Sequence, residues 1–477
     1  MPRESTRRKF LKMSAAGLAA TATLTKRATA QVGSAGPPPS SEMEVWVTNQ
    51  KTHCTRTANI AWKARSAAPM GNVISLDPKS QFQTILGFGA AFTDASCYMF
   101  NQLSSSAREQ LFHEMFHPSE MGLNVCRICM GASDYSTSVY SYDEGEADPQ
   151  LERFSIAHDR DYILPMLRQA RSVNPDLFLF GSPWSPPGWM KSGGSMLGGS
   201  MRRRYIPNYA QYFIKFLQAY AAEGVAVQAV TPQNEVDTDQ DGRMPACIWP
   251  QEYEIEFVQK LGPLLAQNQL TTKIWVLDHN YNLWGRAMNE IDNPQVKQFS
   301  NAVAWHGYVG GAEMMTKFHE AHPDASMHWT EGGPDYTSPD YLTDWAKWGK
   351  IFTDVLRNGC RSITAWNLAL DEQGRPNIGP FPCGGVVTIN SKTKEITRSG
   401  QHWAFAQFSR FIHRDAKRFA SESSATDLSH VAVENPNGRR VLVLSNIAGA
   451  KTATVQIGEN QADIAMDENS VMTLAWS

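Results

Sequence analysis

The sequence predicts an α/β fold, a (β/α)8 TIM barrel with an accompanying β-sandwich built from both chain ends. Three observations carry that reading. Between about residues 82 and 412, short apolar runs alternate with amphipathic stretches of helix length. Eight of the runs have strand length, and parallel strands need helical crossovers between them. After Arg414 the helical rhythm gives way to alternation with a period of two, broken by polar turns such as Asn435-Pro436-Asn437-Gly438.

The elements follow in order. Residues 1–30 carry the twin-arginine pattern Thr6-Arg7-Arg8-Lys9-Phe10-Leu11-Lys12, a weakly apolar Ala-rich run over 13–24, and the small-residue site Ala28-Thr29-Ala30 before Gln31. The apolar run is far shorter than the ~20 residues that span a bilayer. It reads as a twin-arginine signal peptide, which implies export to the periplasm or beyond and no integral membrane segment after its removal. Residues 31–42 form a Pro/Gly/Ser linker with nothing to bury. Segment 43–80 supplies the N-terminal strands of the sandwich, at 43–47 and 72–76.

The barrel occupies 81–413. Its strands are expected at 84–89, 124–130, 177–182, 226–231, 274–278, 302–306, 326–330 and 362–366. Helices are expected at 106–116, 159–172, 205–223, 251–266, 341–358 and 401–412. Ser106 and Glu109 have the spacing of a capping box, and Pro118 stops that helix. A doubly wound open sheet is the rival arrangement of the same alternation. Strands at 431–434, 440–446, 452–457 and 470–476 complete the sandwich from segment 414–477.

Composition narrows the function. The 477 residues carry a net charge of −3, which speaks against a nucleic-acid binder and offers no basic face to anionic lipid. Fourteen Trp and 14 Tyr suit stacking on sugar faces, and suit a large core equally well. Seven Cys is an odd number, so at least one thiol has no partner within the chain. Cys126 and Cys129 form C-x-x-C inside an apolar run rather than at a helix start, which marks core residues rather than a redox pair. No feature points to a cofactor, and none to an oligomeric state.

In such a barrel the active site lies at the C-terminal ends of the strands. The fourth run ends Thr231-Pro232-Gln233-Asn234-Glu235 and the seventh His328-Trp329-Thr330-Glu331-Gly332-Gly333. Two glutamates there face each other across the mouth. Glycoside hydrolysis needs such a pair, one acid for the leaving oxygen and one carboxylate for the anomeric carbon, about 5 Å apart when configuration is retained. The sixth run ends Trp305-His306-Gly307-Tyr308, the third Ser182-Pro183-Trp184, the eighth Trp366-Asn367, and the first reaches Asp94.

The motifs Phe88–Asp94, Ser182–Lys191, Thr231–Glu235, Trp329–Gly333 and Trp366–Leu370, in this order, resemble glycoside hydrolase family 30, the group that contains the lysosomal glucosylceramidases. The resemblance covers about residues 80–415 and continues more weakly into the C-terminal strands. It implies that Glu235 is the acid/base and Glu331 the nucleophile of a retaining double displacement on β-glucosidic bonds. It further implies that Asn234 bonds the sugar 2-hydroxyl, that Asp94 accepts from more distant hydroxyls, and that Trp184 and Trp366 line the sugar subsite. Arg127, His306 and Tyr308 would orient the carboxylates. The substrate implied is a glucosylceramide-like glycolipid or a small β-glucoside, with an endo-β-1,6-glucanase or β-xylosidase as the alternative. Arg127 is followed by Ile128-Cys129, where the lysosomal enzymes have Val-Pro. The loop 377–385 differs as well, so the aglycone site need not accept lipid.

Other motifs are set aside. His113-Glu114-Met115-Phe116-His117 matches the H-E-x-x-H of zinc proteases. Pro118 follows at once, however, the helix belongs to the outer ring, and no third ligand follows in a recognisable pattern; no metal is expected. Gly87-x-Gly89 lacks the third glycine of a dinucleotide site, and Arg202-Arg203-Arg204 reads as a solvated run. A non-catalytic carbohydrate-binding protein would have lost one of the two carboxylates, and both are present.

Overall fold

The computed structural model describes residues 41–477 apart from Met70 and Thr426; the expected signal peptide and most of the expected linker lie outside them. The barrel strands, in chain order, are β1 (Gly87–Phe92), β2 (Val125–Cys129), β3 (Phe178–Ser182), β4 (Ala229–Val230), β5 (Lys273–Ile274 continued as Val276–Asn280), β6 (Ala302–His306), β7 (Ser326–Glu331) and β8 (Ser362–Asn367). All neighbours pair in parallel. The split strand β5 closes the ring, because Lys273 and Ile274 pair with β4 while residues 276–280 pair with β6.

All eight strands lie within three residues of their expected positions. β1 begins three residues late because Asn72–Thr84 is one long strand of the other sheet, where Thr84 pairs with Lys417. The helix expected at 106–116 runs Ser105–Phe116. Its cap is Ser104, whose side chain accepts from the Ala107 amide, and not the Ser106/Glu109 box. The helix expected at 159–172 is broken at Tyr162 into Ala157–Asp161 and Ile163–Val173. Helices Asp94–Asn101, Trp284–Asp292 and Glu313–Ala321 were not foreseen. In the first, six of eight residues are buried, so it shows no polar stripe to betray a helical period.

Among the described residues an eleven-stranded sheet joins both chain ends. Glu42–Thr48 pairs with Ser470–Trp476, and Asn72–Thr84 lies between Lys417–Ser423 and Lys451–Ile457. Met43, Val45, Ile74, Leu76, Leu442, Leu444 and Leu474 gather into a core of their own. The intervening Val431, Val433, Val441, Val443 and Val471 join the barrel's core instead. That second face covers the helix Trp345–Arg357, where Ser445 Oγ donates to the Ala346 carbonyl at 2.9 Å. All seven cysteines are free thiols, and Cys126 and Cys129 are buried on β2.

Candidate active site

The site grows out of the barrel's period of two. Val125, Phe180, Ala229, Trp275 and Ala304 pack together inside the barrel, and His328 stacks on Trp275 at 3.8 Å. Two residues further along each strand, the next inward layer is polar: Arg127, Ser182, Thr231, His306 and Thr330. On β5 the step from Trp275 to Asp278 is three. The extra residue is a bulge between Leu277 and His279, with Leu277 at φ 74° and Asp278 at φ 52°. The bulge turns Asp278 into the polar layer and frees His279 for the mouth.

Asp278 is the hub of that layer. Its carboxylate accepts from Arg127 Nη2 at 2.7 Å, Ser182 Oγ at 2.7 Å, Thr231 Oγ1 at 2.6 Å, Thr330 Oγ1 at 2.7 Å and His306 Nε2 at 3.0 Å. Burial opposes its charge, but Arg127 and His306 hold it far below the usual carboxylate range. Burial also opposes charge on His306, and Glu331, Asp278 and Glu235 together lift it to about 9.

Above this layer stand the two glutamates. Glu331, 6% exposed, accepts from Arg127 Nη1 and from Tyr308 OH at 3.1 Å. Glu235 accepts from Gln240 Nε2 at 2.9 Å. Its backbone is left-handed, φ 52°, with the amide donating to the Asp278 carbonyl at 3.1 Å; strain of this kind persists only where the surroundings enforce it. Glu235 Oε1 lies 3.5 Å from Nδ1 of His306, and Glu331 Oε2 lies 3.9 Å from Nε2, so a single imidazole ring separates the two carboxyls. Burial pushes both upward. His306, His279 and Gln240 outweigh it at Glu235 and keep that group low. At Glu331 burial prevails, aided by the charges of Glu235 and Asp278.

The glutamates open into a cavity of about 560 Å³ that Trp184, Asn234, Tyr308 and Trp366 also line. Asn234 Oδ1 accepts from Arg127 Nη2 at 2.8 Å. The indoles of Trp184 and Trp366 stack at 4.8 Å, with the Arg127 guanidinium 4.5 Å from the first ring. Arg127 and His306 lie beneath the floor. Asp94 is outside the lining; its oxygens are taken by His158 at 2.5 Å, Tyr162 at 2.8 Å and the Thr137 amide at 3.2 Å.

Three lining or supporting residues escaped the sequence reading: Asp278, His279 and Asp134. Asp134 is 4% exposed, lines the cavity, and has one carboxyl oxygen without a partner. Burial and the two glutamates push it well up. The spacing Arg127-x6-Asp134 across a strand end was the available signal.

The H-E-x-x-H segment is used elsewhere. Glu114 accepts from Arg398 Nε at 2.5 Å and lies 3.2 Å from His402 Nε2. Against the upward push of burial, these partners bring it down to about 2. His113 is exposed and stacks on His117 at 4.4 Å.

A closed (β/α)8 barrel with two carboxyls across its mouth, stacked indoles beside them and a buried cation beneath defines a glycosidase. The chain belongs to glycosyl hydrolase family 30: residues 85–412 match its TIM-barrel domain and residues 415–474 its beta sandwich domain. It is 32% identical over 443 residues to an endo-1,6-beta-D-glucanase of Neurospora crassa, covering 88% of this chain and 89% of the relative. It is 28% identical over 398 residues to the lysosomal acid glucosylceramidase of Mus musculus, covering 79% and 77%. The solved structure of an endo-beta1,6-glucanase superposes with a TM-score of 0.82 at 28% identity, covering 91% of this chain and 99% of that one.

Proposed function

We propose that the enzyme cleaves β-glucosidic bonds between sugars, β-1,6-glucan first among them, by retaining double displacement. Glu235 is the acid/base and Glu331 the nucleophile. Arg127 and Tyr308 orient Glu331 and favour its charged form. Both carboxyls flank the one His306 ring, and retention requires them about 5 Å apart. Glycosylation needs the pair's proton on Glu235, so a sugar seated against Tyr308 and Glu331 has to bring it there before the leaving oxygen departs. Trp184 and Trp366 stack on the ring, Asn234 takes the 2-hydroxyl, and Asp134, which lines the cavity and has one carboxyl oxygen unpartnered, takes the distal hydroxyls in place of Asp94.

The observation that carries the choice of substrate is the rim beside Glu235. The leaving group adjoins the acid, and there the cavity is lined by Asp237, Thr238, Gln240, Asn280 and Asn282. Such a polar rim suits another sugar better than alkyl chains. The names of the fungal relative and of the superposing structure agree. A glucosylceramide-like substrate is the second reading, favoured by Val309 and Phe381, 51% and 39% exposed at the same mouth. A hydrolysis screen with β-1,6-glucan, glucosylceramide and aryl β-glucosides and β-xylosides decides. Turnover of β-1,6-glucan in oligosaccharide steps is expected, and turnover of glucosylceramide alone would overturn the choice.

The reading includes export by the twin-arginine route, supported by Arg7-Arg8 and Ala28-Thr29-Ala30; the exported protein is expected to begin at Gln31. Among the described residues no helix is long and apolar enough to cross a membrane.

A further inference from the structure

We propose that Glu235, His279 and His306 form a binding site for a divalent transition-metal ion, zinc foremost, and that occupation of this site stops the enzyme. Nδ1 of His306 and Nδ1 of His279 stand 3.5 and 3.7 Å from one and the same oxygen, Oε1 of Glu235. The three ligand atoms all fall within 4.8 Å of one another. Both nitrogens are buried and neither makes a hydrogen bond.

The geometry is that of a coordination shell rather than of a hydrogen-bonded clamp. A clamp would bring ring N–H groups to within about 3.2 Å of the oxygen, and both stand farther off. A tetrahedral zinc with bonds of about 2.0–2.1 Å sets its ligand atoms roughly 3.3–3.4 Å apart, so the two edges need to shorten by only a few tenths of an ångström.

The outer partners point the same way. Nε2 of His306 meets Asp278 Oδ1 at 3.0 Å, and Nε2 of His279 meets Asp237 Oδ1 at 2.5 Å. Metal binding releases the proton that the surrounding carboxylates hold on His306, and a carboxylate on each far nitrogen then keeps the tautomer that presents Nδ1, as it does for most metal-ligating histidines. Two imidazoles and one carboxylate select zinc, copper or nickel over calcium or magnesium. The fourth position opens into the cavity, which Glu235 and His279 line, and would be taken by water.

Inhibition rests on Glu235 being the acid/base, since a metal-bound carboxylate cannot hold the proton that the leaving group needs. Binding does not rest on it, and the two are tested apart. Zinc titrated calorimetrically into the tag-free full chain is expected to bind one equivalent, with the rate on an aryl β-glucoside falling along the same isotherm. Cobalt(II) at the site should give the intense visible bands of four-coordination.

His279→Gln should weaken zinc binding by about 100-fold or more, and Asp237→Asn, at an exposed position, by about 10- to 100-fold. In each, the variant's own rate should become correspondingly insensitive to zinc. The site is overturned if no saturable binding is seen, if both variants bind as the parent does, or if His113→Gln abolishes binding instead. Binding as expected with no fall in a measurable rate overturns the inhibition and Glu235's role. A chain that hydrolyses no glycoside but binds zinc as described supports the site and refutes the enzymatic reading.

Discussion

His306 and Asp278 are joined by a 3.0 Å hydrogen bond that ties the anion at the centre of the barrel to the ring separating the two glutamates. Neither residue has any exposed surface. The two carboxyls are therefore aligned from below, through a layer that lies outside the cavity lining.

Asp278→Ala removes the partner of two buried cations at once. Leaving a buried charge unpaired costs about 3–5 kcal/mol, so the urea midpoint should fall steeply. Displacement of Arg127 and His306 should also lower kcat/KM by about 100-fold or more. Asp278→Asn, which keeps one acceptor, should lose less of both. Unchanged stability and rate in the alanine variant would refute the hub.

The glutamates can be told apart chemically. Glu331→Ala should abolish turnover, because no glycosyl intermediate forms without the nucleophile. Glu235→Ala should still be glycosylated by an activated aryl β-glucoside, whose leaving group needs little protonation, and then stall at deglycosylation. Azide needs no base to attack, so it should restore turnover and yield a β-glycosyl azide. Rescue of Glu331→Ala to an α-azide instead would reverse the assignment.

Stability should fall on both sides of neutrality. Burial depresses His328 to about 3 and His430 to about 4 from 6.5. The stability they contribute is present above pH 6.5 and is lost as pH falls through those values, by up to about 1.4 kcal/mol per pH unit for each. His306 has the opposite sign: raised to about 9, it stabilises fully below pH 6.5, and that contribution is lost as pH rises through 9. Chemical denaturation between pH 4 and 10 measures both limbs, and His328→Gln should flatten the acid one.

Dialysis against a strong chelator should leave glycoside hydrolysis unchanged or raise it, and His113→Ala with His117→Ala should behave as the parent enzyme. Glu114→Ala should lose stability but not activity, by about 1 kcal/mol, since its partner Arg398 is a third exposed. Loss of activity that zinc restores would revive the metalloenzyme reading.

The barrel was legible because its strands are apolar runs bounded by helices, and Glu235 and Glu331 because they end two of those runs. Asp278 and His279 were not, although the first ends the expected fifth strand and the second follows it. Strict alternation allows only one of two consecutive residues to face the site, and nothing in Leu277-Asp278-His279 announces the bulge that admits both. Asp94 was named by motif position. The helix that it opens carries it away from the cavity toward His158 and Tyr162, a tertiary outcome that local pattern does not encode.

The strand Ser470–Trp476 lies between Glu42–Thr48 and Arg440–Asn446. A ribosome delivers that strand more than four hundred residues after its first neighbour. The opening strand has only the short neighbours Thr55–Arg56 and Ile60–Ala61 to pair with while the whole barrel is made, and loop closure over such a separation is slow. The sheet therefore acts as a completion check, since a chain halted before residue 470 lacks an interior strand rather than a tail and should be cleared by proteases even with its barrel intact.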